Sequence, residues 1–227
     1  MNQPIFITGV ERSGSTLIAR IMDICGAFVG DVSPMYENNE LKKLSLIYLH
    51  NQANGSLMAN TKNLTIPVNW KDKVETILIN HEKYKEGPWI FKSSLLTQMW
   101  PVWHYAFPNA HWIIVRRKTL DIVRSCANTA YMDLFKIEEN REKIKVKSED
   151  RGWLWWIKQY ENKFVEMIEA GVNCKQVWPE RMVTGDYKQI YETLEWVGLN
   201  WTPKIVEVID PLLVKSRRKE NAMRNTK

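Results

Sequence analysis

Five consecutive residues near the start of the chain, Arg12-Ser13-Gly14-Ser15-Thr16, combine a fixed cation, three hydroxyls and a glycine. That combination suits the holding of a tetrahedral oxyanion. Hydroxyls and backbone N–H groups donate from several directions, and the guanidinium adds charge with a rigid donor geometry. Farther on, Lys92 closes a short apolar run, and Arg117 stands eight residues before Ser125. An arginine at a strand end and a serine two turns into the next helix converge on one phosphate, with Arg116 as the adjacent alternative. Glu37 and Glu40 stand three apart at a helix start, where the dipole stabilises an acid in any protein.

The elements that must carry these groups are legible from apolar spacing. Residues 5–8 read as a buried strand, and Leu17, Ile18, Ile21 and Met22 recur at helical spacing up to a stop at Gly26. Strand, tight loop and helix N-terminus point successive N–H groups at one place, where the helix dipole adds positive potential. Gly9, Gly14 and Thr16 fit the triphosphate loop GxxxxGK[ST], but Ser15 stands at its lysine and the cation has moved to Arg12. The loop therefore suits a less charged terminal group than a triphosphate. Residues 89–92 form a second strand, with Lys92 at the carboxyl end where ligands of parallel sheets lie. A helix follows, with Leu95, Leu96, Met99, Trp103 and Phe107 along one side. Residues 111–115 form a third strand, which ends in Arg116-Arg117-Lys118 where a magnesium nucleotidase carries its metal-holding aspartate. A fourth strand is expected over 181–185, then a helix from Asp186 to about 199. Alternating strands and helices imply an α/β fold, P-loop-like, three-layer α/β/α with a mainly parallel central sheet.

Composition sets the outer limits. The 227 residues fit a single domain over 1–227, and 44% apolar with 26% charged residues is the balance of a globular protein. A net charge of +6 points to an anionic partner. Much of the excess sits in a basic tail over 214–227, and no zinc spacing or RNA-binding aromatic pattern indicates nucleic acid. Cys25, Cys126 and Cys174 are too few, odd and scattered for a disulfide framework. A strand beginning by residue 4 leaves no room for a signal peptide, and no apolar run reaches the length of a membrane span. The expected location is cytoplasmic. Most of the 11 tryptophans read as core, with a few, Trp70 among them, as candidates for an acceptor cleft. Residues 51–68 read as a surface loop. The mixed-charge run 136–151 reads as a solvated helix or mobile segment, and Gly152 as the start of a long helix ending near Gly171.

Taken together these motifs resemble the sulfotransferases, most closely the soluble bacterial and phage type. Arg12-Ser13-Gly14-Ser15-Thr16-Leu17 matches their 5′-phosphosulfate loop: basic residue, Ser, Gly, two hydroxyl residues, apolar helix. Lys92 matches the lysine of both the Lys-Thr-His-Leu-Pro and the Lys-Asp-Pro-Arg patterns, while Ser94 stands where cytosolic enzymes place a catalytic histidine. Arg117 and Ser125 keep the separation of the family's pair for the ribose 3′-phosphate. Tyr36-Glu37-Asn38-Asn39-Glu40-Leu41 is similar to a segment of the bacterial enzymes, so Glu37 or Glu40 becomes the candidate general base, with His104 a distant third. In the family a late basic loop covers the 3′-phosphate, which makes Arg217 and Arg218 candidates. The resemblance implies metal-free, in-line transfer of a sulfuryl group from 3′-phosphoadenosine 5′-phosphosulfate. The acceptor would be a hydroxyl or amine on a small molecule or carbohydrate, and the donor would leave as adenosine 3′,5′-bisphosphate. Arg12, Lys92 and the loop amides from Ser13 to Leu17 would stabilise the developing charge. Two other readings stand beside it: a P-loop nucleotide or small-molecule kinase, and a non-catalytic anion- or carbohydrate-binding protein on the same fold. Oligomeric state leaves no mark in the sequence.

Overall fold

Strand β1 (Pro4–Gly9) is buried at every position, as a strand in the middle of a sheet covered on both faces must be. The computed structural model, which describes residues 2–52 and 56–209, puts it there. β1 pairs in parallel with β2 (Trp89–Lys92) on one side and with β3 (His111–Val115) on the other. β3 pairs in parallel with β4 (Cys174–Val177), giving the order β2-β1-β3-β4. Ile7 lies opposite Lys92 and Gly9 opposite Val115, so Lys92 and the exits of β1 and β3 share one carboxyl edge.

Successive side chains of β1 feed two cores, as the pleat requires. Ile5 and Ile7 pack with Ile18 and Met22 of α1 (Ser15–Ile24) and with Met182, Ile190 and Leu194. Phe6 points the other way, edge-on to Trp112 at 4.8 Å and Trp103 at 5.1 Å between ring centroids. That second core also takes buried faces of α2 (Asn39–Gln52), α3 (Trp70–Thr76), α4 (Leu95–Gln98), α5 (Trp100–Ala106) and α6 (Thr119–Ala127). Helices on both faces of a parallel sheet make the expected three layers. Trp70 is a core residue packed against Tyr48 and Trp103, not a cleft residue.

Two local expectations are corrected and one, the charged run, is made specific. The helix after β2 is two helices, α4 and α5, because Pro101 starts a new one and Met99 leaves the helical region at φ −130. The charged run 136–151 folds as α7 (Glu138–Lys143) and the first turn of α8 (Glu149–Glu169), which Ser148 caps by accepting from the Arg151 N–H. The fourth strand lies at Cys174–Val177, and residues 181–185 instead belong to α9 (Pro179–Val183) and the turn after it. Pro179 supplies the fixed φ of a first helical turn. β4 is an edge strand whose one fully buried residue is Val177, so it carries no continuous apolar run to betray it. Lys188 then opens α10 (Lys188–Trp196) after Asp186, whose side chain accepts from the Lys188 N–H. No helix among the described residues is long and apolar enough to cross a membrane.

Gly152 in α8 has a packing reason for its identity. A Cβ there would stand 2.4 Å from the Phe135 ring, which is fully buried against Trp153. Gly152→Ala is expected to lower unfolding stability by about 1–3 kcal/mol, read as an earlier urea midpoint with an unchanged slope.

Candidate active site

The chain leaves β1 for β2 on one side and returns to β3 on the other. The carboxyl ends of β1 and β3 therefore flank the point where an open parallel sheet offers a crevice. A cleft of about 720 Å³ opens there, lined by Arg12, Gly14, Ser15 and Thr16 from the first loop, Lys92 from β2 and Arg117 from the end of β3.

The loop geometry favours an anion. Arg12 takes a left-handed φ of 67 and Gly14 one of 97, so the chain turns twice before α1 begins. The Ser13 N–H is used inside the turn on the Val10 carbonyl at 3.1 Å, and the Leu17 N–H on Gly14 at 3.0 Å. The N–H groups of Gly14, Ser15 and Thr16 have no backbone partner among the described residues, which narrows the expected cradle to these three. Ser13 serves the loop from beneath: its hydroxyl is buried, without a hydrogen-bond partner among the described residues, beside Gly9. A Cβ on Gly9 would stand 2.6 Å from that hydroxyl and 2.5 Å from the Val115 carbonyl, so only glycine lets β1 and β3 close here.

Arg12, Arg117 and Ser125 meet at one place. Arg12 Nε donates to Ser125 Oγ at 2.9 Å, and Arg12 Nη1 donates to the Tyr131 hydroxyl at 2.9 Å. Arg117 Nη1 donates to the Arg12 carbonyl at 3.0 Å, which ties the left-handed residue to the end of β3. Arg116 takes no part. Its guanidinium lies over the rings of Phe164 and Trp178 and is paired with Glu161, so the adjacent alternative is spent on structure.

A third cluster surrounds Glu37, which is buried. Its Oε1 accepts from Ser93 Oγ at 3.1 Å and lies 3.8 Å from Lys92 Nζ, while its Oε2 accepts from Lys42 Nζ at 2.6 Å. Lys92 also donates to the Met35 carbonyl at 3.0 Å. Burial pulls the Lys92 ammonium below its usual 10.5, and the Glu37 charge opposes that only in part. Its charge is thus lost earlier on raising pH than a free lysine's. The donor kcat/KM is expected to fall along an alkaline limb centred below 10.5, and Lys92→Arg should move that limb upward. An unmoved limb in the arginine variant would assign the titration elsewhere.

Glu40, one residue into α2, is half-buried and is not part of the cleft lining. His104 packs by Trp100 on α5, where burial lowers its pKa, and it is likewise absent from the lining. Arg217 and Arg218 lie outside the described residues.

Sequence reasoning missed Glu11. Its Oε2 accepts from Trp156 Nε1 at 2.7 Å and its Oε1 from the Tyr160 hydroxyl at 3.2 Å, both on α8. The signal was present: an acid inside an anion-holding loop opposes the ligand unless it is needed to fix the loop. Tyr131 and Lys42 were missed too, and neither belongs to a motif that would have announced it.

Three cations, the loop hydroxyls, the Ser125 hydroxyl and three open N–H groups make this an anion-holding site. Comparison with known proteins gives the family. The sequence matches the sulfotransferase family over residues 4–203. Among solved structures, the fold is similar to sulfotransferase STF1 from Mycobacterium tuberculosis: TM-score 0.56, 11% identity, 92% of this chain and 71% of that one covered. It is similar also to sulfotransferase STF9 from Mycobacterium avium: TM-score 0.55, 11% identity, 94% and 68% covered. No curated protein matches the sequence significantly. The fold is the α/β architecture of these transferases. The chain belongs to the sulfotransferase family and is an enzyme of that class.

Proposed function

We propose that this enzyme moves a sulfuryl group from 3′-phosphoadenosine 5′-phosphosulfate to a hydroxyl or amine acceptor. One observation carries the reading. The anion loop and the Arg117/Ser125 pair, 105 and 113 residues beyond Arg12 in sequence, are joined through the Arg12 side chain and carbonyl, with Arg12 and Arg117 lining the cleft and Ser125 behind Arg12. The donor, when bound, supplies an activated sulfuryl group on a phosphate leaving group. The amides of Gly14, Ser15 and Thr16 hold its 5′ end, with Arg12 and Lys92 facing the charge that develops there. Arg117 and Ser125 hold the 3′-phosphate, which requires Ser125 to release Arg12 Nε or to donate its own proton outward. Glu37 takes the acceptor's proton, since its carboxylate lines the cleft and is fixed there by Ser93, Lys42 and Lys92. Glu40 is set aside as base because it is outside the lining.

A phosphate-transferring alternative needs a lysine at Ser15 and a metal-holding acid after β3, where Arg116-Arg117-Lys118 stands. The experiment is a calorimetric titration with adenosine 3′,5′-bisphosphate and, in parallel, with ATP–Mg²⁺. Saturable binding of the bisphosphate alone is expected. Binding of ATP–Mg²⁺ with indifference to the bisphosphate would overturn the assignment.

A further inference from the structure

Resting on that reading of the cleft, we infer that the acceptor is an amphipathic alcohol or phenol with an apolar body, and not a free sugar. In that reading Arg12, Lys92 and Arg117 face the donor, and the charged residues of the lining are otherwise held by neighbours. Lys42 and Lys92 hold Glu37, Arg12 is held by Ser125 and Tyr131, Glu11 is held by α8, and the Arg20 guanidinium lies 5.9 Å from the Tyr36 ring centre. The apolar part of the lining outside the donor loop is Met35, Leu46, Leu95, Met132 and the ring of Tyr131.

These groups surround the proposed base. Leu46 is one helical turn beyond Lys42, whose ammonium touches Glu37; Leu95 lies two residues past Ser93, which donates to it; and the Met35 carbonyl accepts from Lys92. A nucleophile presented to Glu37 is therefore attached to a body lying on leucine and methionine. Met35, Leu46 and Tyr131 remain 38%, 46% and 61% exposed, apolar surface in a concave wall that folding has not covered. Covering it with an apolar ligand removes that surface from water.

A sugar meets the opposite conditions. Each ring hydroxyl entering the cleft loses water and needs a partner, and an unpaired buried hydroxyl is disfavoured. Among the described residues lining the cleft there is no asparagine, glutamine, histidine or tryptophan to supply one or to stack on a pyranose face.

The test is a set of initial rates at saturating donor with 2-naphthol, n-decanol and methyl glucoside, in the wild type and in Leu46→Asn. Wild-type kcat/KM is expected to favour both apolar acceptors over the glucoside by at least about 100-fold, and Leu46→Asn to raise their KM about tenfold. The Kd for adenosine 3′,5′-bisphosphate should stay within about twofold in the variant, because Leu46 is remote from the donor loop in sequence and role. Equal or better use of the glucoside, or an unmoved KM in the variant, overturns the inference, as does a bisphosphate-binding enzyme that sulfates neither apolar acceptor. Failure to bind the bisphosphate at all strikes the donor assignment instead, so the two failures are told apart.

Discussion

Replacing Arg12 by alanine is expected to lower the donor kcat/KM by about three orders of magnitude, the scale seen when a guanidinium facing transferred charge is removed. The size follows from how many tasks the residue performs. Its left-handed backbone aims the open amides of Gly14, Ser15 and Thr16, its carbonyl receives Arg117, and its guanidinium spans Ser125 and Tyr131. Alanine removes the guanidinium but keeps the carbonyl, so the loop stays folded and the loss is read as function. Arg12→Lys should recover only a small part, because an ammonium cannot present the planar fork that meets Ser125 and Tyr131 together. Circular dichroism and an unchanged unfolding midpoint would certify the fold. A variant within about tenfold of wild type would move the charge-stabilising role to Lys92 alone.

Substitution of Glu37 by glutamine separates turnover from binding. The amide keeps an acceptor for Ser93 and similar volume, but it cannot take a proton. Loss of a general base costs about 10²–10⁴ in kcat. The bisphosphate Kd is expected to remain within about threefold, since Glu37 touches Lys92 and not the loop amides. Glu40→Gln, altering a half-buried residue outside the lining, should leave kcat near wild type. If both variants turned over normally, neither Glu37 nor Glu40 would be the base, and Glu11 would be the remaining carboxylate of the lining. If neither the wild type nor the variants turned over while all bound the bisphosphate, the non-catalytic reading would be correct.

The fold was readable wherever strands are buried on both faces. Residues 5–7, 89–91 and 112–115 are apolar runs because they lie under helices, and the sequence placed each strand to within a residue or so. β4 escaped because only Val177 of its four residues is buried, and the apolar pair Met182-Val183 imitated a strand inside a helix opened by Pro179. Within the site, spacing found what lies close in sequence to a strand exit: the loop, Lys92, and the eight-residue step from Arg117 to Ser125. It did not find contacts made across the sheet. Glu11 reaches α8 about 145 residues away, and the preference for Glu37 over Glu40 is decided by Ser93 and Lys92 on a different strand. Most tryptophans are core as expected, but the few read as cleft candidates, Trp70 among them, are not in the lining, where leucine and methionine stand instead.

The claim on which the rest depends is that two anion-holding clusters grip one nucleotide. Calorimetric comparison of adenosine 3′,5′-bisphosphate with adenosine 5′-monophosphate and adenosine 3′-monophosphate tests it most directly. If both clusters act together, the bisphosphate binds about 10- to 150-fold more tightly than either monophosphate, because each charge-assisted set contributes about 1.5–3 kcal/mol. Ser125→Ala should then erase most of the advantage over the 5′-monophosphate and leave affinity for the latter unchanged. A 5′-monophosphate that binds as tightly as the bisphosphate would contradict the account, since Arg117 and Ser125 would then hold nothing.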